Sequence, residues 1–224
     1  KKNLIRTNPP RQVDVPKIKN KNIIRLDPNE IAQLLDEAES GEKLSGRQLA
    51  SHEKTKVRDV AILTLLLGTG IRVSECVGLN LEDVDFNNGA IRIIRKGGNE
   101  ALIYFGDEVS QALEAYMNGP RKKDEPAAGH EEALFISLNK TRITTRSVER
   151  LVKKYSRLVT TVKKITPHKL RSTFGTALYQ ETGDIYLVAD TLGHKDVNTT
   201  KKHYAAIDEH RRRMAANVVK LRES

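Results

Sequence analysis

The sequence holds a single cysteine, Cys76, among 224 residues. One thiol excludes an intrachain disulfide and a cysteine-based zinc site, and it suits a reducing compartment. A reducing cytosol or nucleoid is the expectation. Long apolar runs are missing too. The longest, around residues 61–67, has the length of a helix core and falls far short of the roughly 20 residues of a membrane span, so no membrane insertion is expected. No internal repeat is visible, and no grouping of side chains makes a convincing metal site. Negative charge is in the minority: Lys and Arg number 39 against 29 Asp and Glu, for a formal net charge of +10. So basic a balance favours a polyanionic partner, nucleic acid or an anionic membrane surface.

What is present reads as a helical chain with one interruption. Residues 1–22 carry Pro9, Pro10 and Pro16 among basic and Asn-rich residues, an extended strap rather than a helix. The chain opens on Lys1 rather than Met, and the strap is expected to be a linker from a preceding domain. Asp27-Pro28-Asn29-Glu30 has the form of an N-cap, a proline at the first helical position and a reciprocal glutamate. Ile31, Leu34, Leu35 and Ala38 continue it as a helical stripe. Residues 41–53 are polar and Gly-containing, expected as loop. Residues 56–67 form a helix whose apolar second half should be buried, ended by Gly68-Thr69-Gly70; a shorter helix covers 73–79. Residues 90–95 and 100–105 read as strands joined by Lys96-Gly97-Gly98-Asn99. Helix is expected over 108–117, polar loop over 119–131, a short strand over 133–137, and helix from Thr144/Thr145 to about 158. Thr166-Pro167 starts another helix with Leu170, Phe174, Ala177 and Leu178 on its apolar side. Gly183-Asp184 ends that helix and caps the next, which stops at Gly193. Residues 196–206 and a basic tail, 207–221, are helical by pattern. The fold class is therefore mainly α with a small antiparallel β-sheet.

Few segments carry chemistry on their own. "LLLGTGIRVSE" holds one Gly-x-Gly and neither a third glycine nor a Walker lysine in register, so it is no nucleotide loop. A helix terminator explains its glycines but leaves Arg72, a charge expensive to place after a buried helix without an anionic partner. Glu75 stands where it can hold that guanidinium from the same helical turn. In "TPHKLRSTF", His168 and Arg171 share a face of the first turn of a helix, beside its free N–H groups, a place suited to phosphate. Alone, such a pair is ordinarily solvated surface, a turn lysine such as Lys96 is ordinarily solvated, and His194 after Gly193 is ordinarily a cap. The remaining Lys and Arg act as a positive field rather than as single contacts.

Together and in this order the same residues form a signature. Arg72 and Glu75 after an apolar helix, Lys96 on a hairpin, His168-x-x-Arg171, Leu192-Gly193-His194 and then Tyr204 resemble the catalytic domain of the tyrosine recombinase (phage integrase) superfamily. The likeness runs from about residue 23 to the end, and "GTGIRVSE", "RKGG" and "LGHKDVNTTKKHY" are similar to integrases of mobile elements in low-GC bacteria. It implies a tyrosine recombinase catalytic-domain fold over residues 23–206, a core-binding domain before the linker, and a C-terminal tail, 207–224, exchanged between protomers. It also implies double-stranded DNA as substrate, a homotetramer on that DNA, room for an accessory DNA-bending or excision factor, and no cofactor or metal. Strands would be cut and rejoined through a 3′-phosphotyrosyl intermediate. Arg72 and Arg171 would bind the non-bridging phosphate oxygens, two at a time, and His194 would add a third donor. His168 would take the nucleophile's proton or donate to the same phosphate, Lys96 would protonate the leaving 5′-oxygen, and Glu75 would orient the site.

The nucleophile needs a choice. In many relatives it stands third after the Thr-Thr pair, which here is His203, with Tyr204 one step later. A histidine nucleophile would make a phosphoramidate, chemistry foreign to this family, so Tyr204 is the expected nucleophile. The tyrosines at 104, 116, 155, 179 and 186 read as packing. Two rivals share the scaffold: a type IB topoisomerase-like enzyme that rejoins the original strand, and a catalytically inactive DNA-binding regulator, from which loss of site residues would be expected. In the tail, Ile207, Met214, Val218 and Leu221 make one apolar stripe at helical spacing.

Overall fold

A computed structural model describes residues 24–201 apart from Lys96, Lys195 and Thr199. The strap, Lys96, His203, Tyr204 and the tail therefore lie outside the described residues. Helix α1 spans Pro28–Ser40 and starts as its sequence dictates: the Glu30 N–H donates to Asp27 Oδ1 at 2.9 Å and the Asp27 N–H donates to Glu30 Oε2 at 2.8 Å. This reciprocal cap satisfies two of the helix's orphan donors.

Helix α2 spans Arg47–Thr69 and so begins well before the expected start at 56. Of the residues expected as loop, His52 alone is buried in α2, and it is held by a hydrogen-bond network with the next turns rather than by an apolar stripe. His52, Thr55 and Asp59 are buried; Tyr155 donates to Asp59 Oδ2 at 3.1 Å and pairs with His52 Nδ1 at 3.0 Å, and Thr55 Oγ1 donates to the same Asp59 oxygen. The second half is apolar and buried as expected. Ala61, Ile62, Leu63, Leu65 and Leu66 are no more than 1% exposed, each larger side chain worth roughly 1.5–3 kcal/mol of burial. Helix α2 is the hub of the main core, touching α1, α4 (Asp107–Tyr116), α5 (Thr145–Val159) and α6 (Pro167–Thr182).

After α3 (Val73–Gly78) comes an antiparallel sheet in the order β1 (Val84–Asp85), β2 (Ala90–Ile94), β3 (Glu100–Tyr104), with Arg92 opposite Leu102. The two-residue β1 was not expected. Ile91, Ile93 and Ile103 point into the core, whereas Ile94, Leu102 and Tyr104 are exposed. The strand expected over 133–137 is a correction: Ala133 and Ile136 make only isolated bridges, to Asn80 and Arg142. Ala133, Leu134, Phe135 and Ile136 are all buried, so the apolar run reflects burial without a partner strand long enough for a ladder. Beyond α4 the chain turns through Met117–Arg121, broken at Gly119.

Helix α6 buries Leu170, half-buries Phe174 and Leu178 and leaves Ala177 exposed, so one of its four expected apolar-face residues faces solvent. Gly183 ends it in the left-handed conformation, and Asp184 caps α7 (Ile185–Leu192) by accepting from the Tyr186 and Leu187 N–H groups. Tyr179, Val188 and Leu192 form a second small core, with Phe174, Leu178 and Ile185 against it. That cluster fixes α7 on α6. Tyr116, Tyr155 and Tyr179 are packed as expected; Tyr104 and Tyr186, at 70% and 65% exposure, are not. Val197, Asn198, Thr200 and Lys201 are helical, within the expected helix. No helix among the described residues is long and apolar enough to cross a membrane.

Candidate active site

Three helix ends meet where the sequence placed its candidate residues. The first is the C-terminus of α2. Gly70 adopts φ 63°, and a Cβ there would lie 2.3 Å from the Phe174 ring, so only glycine lets the end of α2 close onto α6. The chain then runs through buried Ile71 to Arg72, whose extended backbone (φ −74°, ψ 150°) begins α3.

Arg72 is held from two sides. Glu75 accepts from the Arg72 N–H at 2.6 Å and from its Nη1 at 2.7 Å, while Nη2 donates to the Gly193 carbonyl at 3.3 Å. The Glu75 side chain is 4% exposed and that of Arg72 38%. A buried carboxylate thus holds a half-open guanidinium.

The second end is the N-terminus of α6, where Pro167 takes the first position. Arg171 is buried, donating from Nη1 to the Gly70 carbonyl at 2.5 Å and from Nη2 to the Leu192 carbonyl. These carbonyls aim the guanidinium without neutralising it. His168, one turn earlier, lies at the surface. Partial dehydration, then repulsion from Lys169, Arg171 and Arg72, pulls its pKa below the ordinary histidine value. The ring is therefore neutral at pH 7, with one nitrogen able to accept a proton.

The third end is the C-terminus of α7, closed by Gly193 in the left-handed conformation. His194 follows, with its N–H on the Ala189 carbonyl and Nδ1 2.8 Å from Thr200 Oγ1. Thr200 is fully buried, so that contact gives the ring a firm support.

Sequence reasoning missed Arg95. Its Nη2 donates to the Thr191 carbonyl at 3.1 Å and the Asp190 carbonyl at 3.4 Å. Nothing in the local pattern marks it out, because a basic residue beside a turn is ordinary; only the folded chain brings it to α7. The last four carbonyls of α7 and its cap, at 190, 191, 192 and 193, are thus taken by guanidinium groups of Arg95, Arg171 and Arg72. The Asp190 carbonyl also accepts from the Gly193 N–H at 2.8 Å; the carbonyls of a last helical turn otherwise lack intrahelical donors and carry its negative pole.

An open groove of about 910 Å³ lies over this junction, lined in part by Arg72, Glu75, Arg95, Gly193, His194 and Asp196. Arg171 and His168 are not in its wall; Arg171 joins it through Leu192, adjacent to Gly193. Its wall sets Arg72, Arg95 and His194 beside the carboxylates of Glu75, Glu100, Asp190 and Asp196, so binding an anion with several oxygens falls to the fixed arginine and histidine donors. Among the described residues no group of His, Cys, Asp and Glu is placed to hold a metal ion. Burial pushes the Cys76 thiol up to about 12, which rules it out as a nucleophile at neutral pH.

The sequence pattern of the phage integrase family matches residues 24–211. Tyrosine recombinase XerC of Syntrophus aciditrophicus is 38% identical over 152 residues, 66% of this chain and 49% of that protein. The chain spans about half the length of the curated relatives it matches. Among solved structures, the XerA recombinase superposes with a TM-score of 0.72 at 27% identity, covering 89% of this chain and 67% of that one. The Tn1549 transposon integrase, in complex with circular intermediate DNA, gives 0.63 at 26% identity, covering 87% and 65%. With its helical body, three-stranded antiparallel sheet and ordered site residues, the chain belongs to the phage integrase family of tyrosine recombinases.

Proposed function

We propose that this chain is the catalytic part of a site-specific DNA recombinase that breaks and rejoins double-stranded DNA through a tyrosine. One observation carries the reading: Arg72, Arg171 and His194, from segments up to 122 positions apart in sequence, converge on the C-terminus of one helix beside an open groove. In it, the Tyr204 hydroxyl attacks the scissile phosphorus. A bond forms from the tyrosine oxygen to phosphorus, the bond to the 5′-oxygen breaks, and a 3′-phosphotyrosyl link remains. His168, neutral and close to both arginines, takes the tyrosine's proton. Lys96 delivers one to the departing 5′-oxygen. Arg72, Arg171 and His194 stabilise the charge that grows on the non-bridging oxygens, the largest contribution in such a transfer. The 5′-hydroxyl of a partner duplex then attacks the link and restores a phosphodiester, so neither ATP nor a metal enters the balance.

The relatives' names favour strand exchange over supercoil relaxation, and the intact set of donors favours an active enzyme over a regulator. Residues 1–22 serve as linker, and residues 207–224 dock on a neighbouring protomer of a tetramer. The test is covalent trapping on nicked duplex DNA. Tyr204→Phe is expected to bind DNA and form no adduct, because only the attacking oxygen is lost, while His203→Ala keeps adduct. An adduct that survives in Tyr204→Phe and vanishes in His203→Ala overturns the assignment.

A further inference from the structure

We infer that Arg95 is a positioning residue for the hairpin lysine, tying the β2–β3 turn to the C-terminus of α7. The inference rests on the proposed role of Lys96 and deepens it. Lys96 lies between Arg95 and two glycines at φ 101° and 81°, Gly97 and Gly98, where an added Cβ would meet nothing within 4 Å. The turn is closed locally by the Arg95 N–H on the Asn99 carbonyl at 2.8 Å and the Gly98 N–H on the Arg95 carbonyl at 3.0 Å. Those bonds set the shape of the turn but not its place over the groove. A tip with two such glycines has wide backbone freedom, and a general acid must sit within hydrogen-bond reach of its oxygen.

The Arg95 side chain supplies the missing tie. Its guanidinium bridges the Thr191 and Asp190 carbonyls from 95 residues away in sequence and packs under Gly193, where a Cβ would approach Nη1 to 2.3 Å and Cζ to 2.5 Å. The absence of a side chain at 193 is thus what lets the hairpin seat against the turn that carries His194. Arg95 Nε is buried without an acceptor among the described residues. The same helix end receives Arg72 and Arg171, so α7 is a common reference for the phosphate clamp and the leaving-group acid.

The test compares single-turnover cleavage of nicked DNA carrying either the ordinary phosphate or a 5′-bridging phosphorothiolate, whose sulfur leaves without a proton. Lys96→Ala is the reference variant, slow on oxygen and restored by sulfur. Arg95→Ala is expected to be about 100-fold slow on oxygen, the scale of an ångström-sized misplacement, and near wild type on sulfur, with DNA affinity and melting temperature little changed. Arg95→Lys keeps the charge, reaches one carbonyl rather than two, and is expected to fall between; it carries the same comparison if the alanine variant does not fold. Equal slowing of Arg95 variants on both substrates, with Lys96→Ala still restored by sulfur, overturns this inference and leaves the recombinase reading intact. Failure of sulfur to restore Lys96→Ala removes the general acid and this inference with it. Absence of any Tyr204 adduct in the unaltered protein overturns the proposed function instead.

Discussion

The role proposed for Arg171 rests on geometry more than charge. Its two terminal nitrogens reach carbonyls on different helices, Gly70 at the end of α2 and Leu192 at the end of α7, and this fork is what lysine lacks. Arg171→Lys is therefore expected to bind DNA nearly as well, since the charge survives, yet to cleave about 100-fold more slowly, the usual cost of losing one donor to a developing oxyanion. A cleavage rate near wild type would remove Arg171 from the phosphate clamp. His168 makes a prediction of the opposite kind, about protonation rather than shape. As proton acceptor it must be neutral, and dehydration with three nearby cations holds its pKa below 6.5. Activity is then present above that lowered pKa and lost as pH falls through it. The acid limb of kcat/KM, which reports the free enzyme, is expected below pH 6.5 and absent in His168→Gln. An alkaline limb instead, with activity lost as pH rises through the histidine's pKa, would show that the ring is charged when it acts, and so serves as donor to the phosphate. At this scale the sequence was informative where partners lie close in the chain: Arg72 with Glu75 and His168 with Arg171 are pairs three apart. Arg95 escaped because its partners lie 95 and 96 positions away.

Helices were legible where they announce their own ends. The cap at Asp27 and Pro28, the stop at Gly70 and the Gly183-Asp184 junction are local devices, and each appears in the structure at its expected place. The misses share one cause, which is burial decided by distant residues. The first turns of α2 look like loop because they are polar and mostly exposed, and the buried His52 among them is satisfied by Tyr155, about a hundred positions later. Residues 133–136 look like a strand because they are apolar on both faces, but α-helical neighbours cover them rather than a ladder. The tiny β1 carries no alternation long enough to register. The site survives these errors because it is assembled from helix ends. A cap motif and a terminal glycine place a side chain even when the helix body is misjudged, and α7 then gathers three arginines onto its C-terminal carbonyls.

For the molecule as a whole, the relevant quantity is the field. The formal charge of +10 cannot be reduced to the few cations at the site, and under the proposed function most of it is expected to act on DNA by displacing condensed counterions. A face that neutralises about six phosphates gives a slope near −5 in log affinity against log salt, so affinity should fall about 1,000-fold between 50 and 200 mM monovalent salt. Fixed donors at one phosphate contribute little to that slope, because they are a small share of the contacts. The two scales therefore separate experimentally. Arg171→Lys should leave the slope unchanged while slowing cleavage, whereas neutralising several surface lysines should flatten the slope and leave single-turnover cleavage of bound DNA intact. Fluorescence anisotropy over a salt series measures the first quantity, and trapping at saturating protein the second. Sequence preference should be modest at every salt concentration, since contacts to phosphates position a protein without reading bases. An affinity indifferent to salt would mean that the charge is spent within the protein rather than on the duplex.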